Sequence, residues 1–278
     1  MREVGRIDVA ELFPELDAEL IPLLRGLSEE DWSRPAVGSW TVKDVAAHLL
    51  DTAIRRLSFG RDRLPLVPPD RPIQGYEDFV AFLNDLNAVW VRAMKRVSPR
   101  ILTNLLEKTG AELSEHLAGL DPSGPALFSV AWAGEEASES WFDVAREYTE
   151  RWHHQQQIRD AVGAPGITGR RLMYPVLDAF LRALPHTYRA VEAGDGTAIA
   201  VEITGEAGGE WALVREGGRW QLYEGAPDDP RTRVRMDQDT AWRRMTKGIT
   251  KEQAAERSEV TGARSLGEPV FGMLSIMA

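Results

Sequence analysis

Glu150 and His154 stand four residues apart in a stretch with helical patterning, and His48 lies far upstream in a second such stretch. A helix brings positions i and i+4 onto one face. A carboxylate and an imidazole placed this way can grip one cation from the same side, and a histidine from a facing helix completes a three-ligand shell. Such a shell leaves positions on the ion open for water, a thiol or a substrate. His153 competes with His154, because Glu150 and His153 form a usable i,i+3 pair. These spacings also arise on solvated helix faces. His48 shares its stripe with the polar Asp44, Thr52 and Arg55, which could simply face water. His116 and His186 read as surface or locally satisfied residues. No general base or nucleophile is identifiable, so catalytic residues stay unassigned.

The elements that must position these groups are mostly helical. Apolar residues recur at helical spacing over 8–27 (Val9, Leu12, Phe13, Leu16, Leu20, Leu23, Leu24, Leu27), with Pro14 and Pro22 as local disturbances. Residues 28–40 read as a connecting loop. Thr41 is a good N-cap with Asp44 in the first turn, opening a helix to about Phe59. A proline-rich loop follows over 65–72, then a third helix over about 75–97. Ser98-Pro99, an N-cap with Pro at the first helical position, opens a fourth over 98–119. After an irregular stretch, the helix carrying Glu150 and His154 spans about 139–162 and stops at Gly163. Helix number and loop lengths predict an antiparallel, up-down-type four-helix bundle over residues 1–165.

The pattern changes near residue 194. A helix over 168–190 reads as a link, and 197–203, 211–214 and 220–223 read as strands joined through glycine-containing turns, with another strand at 231–236. A short helix begins at Asp239 and a final apolar one is expected over 266–277. Residues 166–278 therefore form the linking helix and a small α+β domain.

Composition narrows the function classes. The 278 residues carry 43 acidic against 33 basic side chains, a net charge of −10, which argues against a nucleic-acid partner. There is no apolar run long enough for a membrane span, and the N-terminus lacks an apolar signal core, so a cytoplasmic protein without a membrane partner is expected. The chain contains no cysteine. Disulfides, thiolate-ligated zinc and a protein thiol nucleophile are excluded, and any sulfur chemistry must use an external thiol.

The segment Gly38-Ser39-Trp40-Thr41-Val42-Lys43-Asp44-Val45-Ala46-Ala47-His48-Leu49 resembles the Gly-Trp-Thr-Val-Arg-Asp-Val-x-x-His-Leu segment of the mycothiol-dependent maleylpyruvate isomerase family, itself among the DinB-like metal-binding bundles. A second match runs from Glu150 through His154 to Gly163. The resemblance implies His48, Glu150 and His154 as ligands of a divalent metal. Zinc is the usual ion, with nickel, iron and manganese as alternatives. His153 then falls into a supporting position. Gln155, Gln156 and Gln157 depart from a more usual Gly-Trp-Asp, which predicts a different substrate if that triplet lines the pocket. The C-terminal half is similar to the family's sterol-carrier-like companion domain, with Val260-Thr261-Gly262 as its last strand.

Arg231, Arg233 and Arg235 alternate on one predicted strand and so share a face, and Arg243 and Arg244 follow on the next helix. The strand trio suits either a carboxylate substrate or an exposed, salt-bridged sheet face. Arg243 and Arg244 are the better candidates for substrate binding, since the family's helix packs near the active site. The implied function is a metal-dependent enzyme using an external low-molecular-weight thiol such as mycothiol. Addition of the thiolate to an electron-poor alkene followed by expulsion gives a cis–trans isomerase, and addition without expulsion an S-transferase, acting on a small molecule that can carry a carboxylate. The alternatives are a metal-dependent hydrolase using metal-bound water and a non-catalytic metal- or ligand-binding protein. Monomer and homodimer are both compatible with the sequence.

Overall fold

The computed structural model of the chain describes residues 1–66 and 68–276. The chain opens with strand β1 (Arg2–Glu3), a 3-10 turn at Ala10–Leu12, and helix α1 (Phe13–Gly26). Pro14 sits in the first turn of α1, where its missing N–H costs nothing. Pro22 lies inside α1, but it and Ala18 are exposed, so the carbonyl left without a helical partner faces solvent. The expected loop over 28–40 contains a 3-10 turn and a small hairpin of β2 (Pro35–Val37) and β3 (Trp40–Thr41). Gly38 adopts a φ of 53° in its turn, a conformation that favours glycine.

Helix α2 (Val42–Arg56) starts at a full capping box. The Thr41 hydroxyl accepts from the Asp44 N–H, and the Asp44 carboxylate accepts from the Thr41 N–H at 3.0 Å. A π-helical turn (Leu57–Arg61) extends it. The proline-rich loop includes Val67, which lies outside the described residues. Helices α3 (Tyr76–Met94) and α4 (Pro99–Ala118) follow, α4 capped by Ser98 as its sequence predicts. Helix α5 (Ser140–Val162) ends at Gly163, whose φ is 68°.

Two compact units emerge. One comprises Asp8–Leu127 and Glu150–Ile167, the other Met1–Ile7, Phe128–Thr149 and Thr168–Ile276. The first is the helix bundle: α2 packs on α3 and α4, and α4 on α1. Its core joins Leu20 and Leu24 of α1, Val45, Leu49 and Leu50 of α2, Leu102 and Leu106 of α4, and Ile158 of α5. These buried positions recur at three- and four-residue intervals, which is why periodicity located the helices.

The second unit is α+β. The expected single helix over 168–190 is divided into α6 (Arg170–Leu181) and a short α7 (Leu184–Thr187). Pro185 causes the division, because it cannot donate to a continuing helix. Strands β4 (Ala198–Thr204), β5 (Gly209–Glu216) and β6 (Arg219–Glu224) form the expected antiparallel meander. Gly217 and Gly218 both take positive φ at the β5–β6 turn, the backbone that a tight hairpin requires. Strand β7 (Thr232–Asp237) pairs parallel to β4. It is followed by helices α8 (Gln238–Met245) and α9 (Lys251–Glu256), then by β8 (Glu259–Gly262), antiparallel to β7. The six-stranded sheet has the order β1-β6-β5-β4-β7-β8.

The final apolar helix expected over 266–277 does not form. A short α10 (Arg264–Gly267) gives way to a 3-10 turn at Glu268–Gly272, with Gly267, Pro269 and Gly272 interrupting the helical ladder. Residues 273–276 have no regular structure, and Met277 lies outside the described residues. No helix among the described residues is long and apolar enough to cross a membrane.

Candidate metal centre

His48, Glu150 and His154 come together within the bundle unit. One ligand atom from each lies within 4.8 Å of the other two. His48 sits mid-way along α2, on a stretch from Val45 to Asp51 that is buried throughout. Its stripe does not face open water: Asp44 and His48 are buried, and Thr52 and Arg55 half-buried. Glu150 and His154 lie one turn apart on α5, as the i,i+4 spacing requires.

The geometry of the α5 pair suits a shared ion. His154 Nε2 and Glu150 Oε2 are 3.4 Å apart, longer than a usual hydrogen bond. Two ligands held about 2.0 Å from one ion at tetrahedral positions stand about 3.3 Å apart. The His48 and His154 rings meet edge to face, with centroids 4.8 Å apart. Nδ1 of His48 is buried and has no hydrogen-bond partner among the described residues. An orphaned buried nitrogen is costly unless something binds it. Burial holds the His48 imidazole well below its ordinary pKa, and the neighbouring His154 adds to the effect while Glu150 opposes it. The ring is therefore neutral at pH 7, with a lone pair available to a cation.

The surroundings fix the cluster on three sides. The Trp40 ring lies against His48, centroids 5.1 Å apart. The Trp90 indole N–H donates to the Ala47 carbonyl at 2.8 Å, tying α3 to the turn that precedes His48. On α5, Arg151 Nε donates to Asp17 Oδ1 of α1 at 2.7 Å, next to Glu150 in sequence. Further along, the Trp152 indole donates to the Ile167 carbonyl, and Arg159 binds both the backbone and the carboxylate of Glu19.

His153 is buried and does not join the converging group; its ring packs against His154, centroids 4.0 Å apart. The glutamine triplet is divided among distinct partners. Gln155 reaches α1, where its amide can donate to the Leu16 carbonyl and accept from the Leu20 N–H. Gln156 accepts from the Ile167 N–H at 3.1 Å and donates to Asp160. Gln157 Oε1 lies 2.8 Å from His154 Nδ1. The contact of Gln157 with His154, the place of Trp40 against His48 and the Asp17–Arg151 pair were missed by sequence reasoning. Only Gln157 had a usable signal there, its i,i+3 spacing from His154.

The arginines belong to the α+β unit. Arg233 pairs with Glu210 at 2.6 Å and Arg235 with Glu202 at 3.0 Å, so these two form a salt-bridged sheet face. Arg243 Nε is held by both carboxylate oxygens of Asp239, with its guanidinium over the Trp242 ring. Arg244 donates to the Phe271 carbonyl, and its burial lowers its pKa. His116 and His186 each lie within their own unit and contribute no ligand to the cluster.

A search among curated proteins returns no match. A family model, the mycothiol maleylpyruvate isomerase N-terminal domain, matches residues 13–159. That span exceeds half of the chain and contains all three converging residues. The chain belongs to the mycothiol maleylpyruvate isomerase family.

Proposed function

We propose that His48, Glu150 and His154 hold one divalent cation, zinc before nickel, iron or manganese, and that the protein is a thiol-dependent isomerase or S-transferase. The convergence of one carboxylate and two imidazoles at 4.8 Å or less carries this reading. A bound cation of this kind would keep an external thiol in its thiolate form at neutral pH. The chain's own residues supply the rest. Glu150 contributes negative charge, neutral His48 contributes a desolvated lone pair, and Trp40 gives the His48 side of the site an apolar wall. The absence of cysteine means that the sulfur must come from a small thiol such as mycothiol, which family membership also supports. The six-stranded mixed sheet of the second unit supports reading it as the family's sterol-carrier-like companion domain.

The test is elemental analysis of protein purified without chelator, with His48→Ala and His154→Ala beside it. Near-stoichiometric metal in the wild type, lost in both variants, is expected. Turnover of an electron-poor cis-alkene carboxylate should then require added thiol. Retained metal in both variants rules out the ligand set, and full activity in thiol-free buffer points to a hydrolase.

A further inference from the structure

We propose that Gln157 is a positioning residue that selects Nε2 of His154 as its metal-binding atom. The inference rests on the metal reading above and concerns how this chain prepares one of its ligands. Positions 154 and 157 are neighbours on the surface of α5, and the Gln157 side-chain oxygen stands 2.8 Å from His154 Nδ1. A carbonyl oxygen can only accept, so Nδ1 must carry the proton. A neutral imidazole protonated at Nδ1 has its lone pair on Nε2. That nitrogen is the one 3.4 Å from Glu150 Oε2.

With no proton on Nε2, a lone pair and a carboxylate oxygen face each other at 3.4 Å. A cation between them removes the repulsion. An N–H on Nε2 would remove it too, but would leave Nδ1 and the Gln157 oxygen as two acceptors in contact. Gln157 therefore biases the pair toward cation binding before any ion arrives. The other two glutamines cannot substitute, because Gln155 is directed at α1 and Gln156 at Ile167 and Asp160. The His153 ring offers packing along the face of His154. His48 differs: among the described residues its Nδ1 has no hydrogen-bond partner. Outer hydrogen bonds to ligating histidines typically contribute about 10–100-fold in metal affinity.

Two measurements test the assignment. Long-range 1H–15N NMR of the metal-free wild type should show His154 as the single Nδ1–H tautomer. Zinc affinity, by competition with a chromophoric chelator, should fall about 10–100-fold in Gln157→Leu. In Gln157→Glu, which restores an acceptor, it should return to the wild-type value or tighter. Circular dichroism of each variant separates this from misfolding. An Nε2–H tautomer overturns the assignment, as does an amide turned to donate to Nδ1, which gives the same signature. So does zinc affinity that is unchanged in Gln157→Leu, or lost equally in the Leu and Glu variants. If the wild type binds no zinc, the metal reading fails by itself, and the metal-free tautomer still decides the role of Gln157.

Discussion

Gly110→Ala should destabilise the bundle, although the same change in an ordinary exposed helix stabilises by about 1 kcal/mol. Gly110 is buried inside α4 and faces the ion pair between Asp17 of α1 and Arg151 of α5. A β-carbon there would overlap Asp17 Oδ2 and stand 2.9 Å from Arg151 Nη2 and 3.1 Å from Asp17 Cγ. The pair has little room to yield, since the Arg151 side chain is 2% exposed and that of Asp17 14%. Burial raises the Asp17 pKa even though Arg151 pulls it down, so the carboxylate depends on its partner. Displacing one member of a buried pair costs about 3–5 kcal/mol. Set against the helix-propensity gain of about 1 kcal/mol, the net loss is about 2–4 kcal/mol. For a chain of this size that corresponds to a fall of about 4–16 °C in Tm. Thermal and urea unfolding would read it. The internal control is Gly26→Ala at the end of α1, where an added β-carbon meets nothing within 4 Å and stability should stay level or rise. In a Gly110→Ala background, replacing the pair by Asp17→Leu with Arg151→Met should recover part of the loss, because apolar residues need no partner. A Gly110→Ala protein as stable as Gly26→Ala would refute the close packing of α1, α4 and α5 on which the position of Glu150 depends.

Zinc at about 100 times its Kd should stabilise the protein by about 2.7 kcal/mol, reversed by chelator; no shift in Tm at saturating zinc would contradict a folded-state site. The metal-free protein should also lose stability on acidification. His48 is held below its unfolded pKa of about 6.5, so the unfolded chain binds the extra proton, and stability falls as pH drops from about 6.5 toward the folded value, by at most about 1.4 kcal/mol per pH unit. His48→Gln should flatten that slope in urea titrations between pH 7 and 5, and an unchanged slope would assign it to other groups. Thr41→Ala removes the cap of α2 and should cost about 0.5–2 kcal/mol in chemical denaturation, visible as a lower urea midpoint. Arg235→Ala breaks an exposed pair with Glu202 and should change stability by no more than about 1 kcal/mol. Turnover should be unaffected, and a large kinetic defect would reinstate that strand as a substrate reader.

The bundle was legible because its helices announce themselves at both ends. Thr41 with Asp44, Ser98 with Pro99, and Gly163 each mark a boundary by backbone chemistry that acts locally. What escaped depends on partners distant in sequence. The hairpin at 35–41 is too short to show alternation, and β1 gains strand character only by pairing with β6, more than two hundred positions away. The split between α6 and α7 and the missing terminal helix are different. Pro185, Gly267, Pro269 and Gly272 were all visible, and the apolar periodicity around them was given too much weight. The cluster of His48, Glu150 and His154 combined both kinds of information. Spacing paired Glu150 with His154 but left His153 as a rival, and the resemblance both chose between them and joined His48 to the set, since no periodicity connects α2 to α5.

The glutamine triplet departs from the family pattern, and its three side chains have distinct partners. At 155 and 156 the side chains answer to backbone groups that this chain buries. The Ile167 N–H lies in a loop folded back on α5, and without the Gln156 oxygen it would be a buried donor lacking a partner. Gln155 sits fully buried against α1, where only a side chain able both to donate and to accept can meet the Leu16 carbonyl and the Leu20 N–H. An aliphatic residue at 156 would leave the Ile167 N–H unsatisfied, a loss of about 1–3 kcal/mol, whereas the Leu16 carbonyl and Leu20 N–H beside Gln155 also stand at the i,i+4 spacing of a bond within α1. These two glutamines thus tie α5 to α1 and to the loop that follows it. The third meets the converging residues through His154. That part of the departure bears on how the His154 imidazole is held.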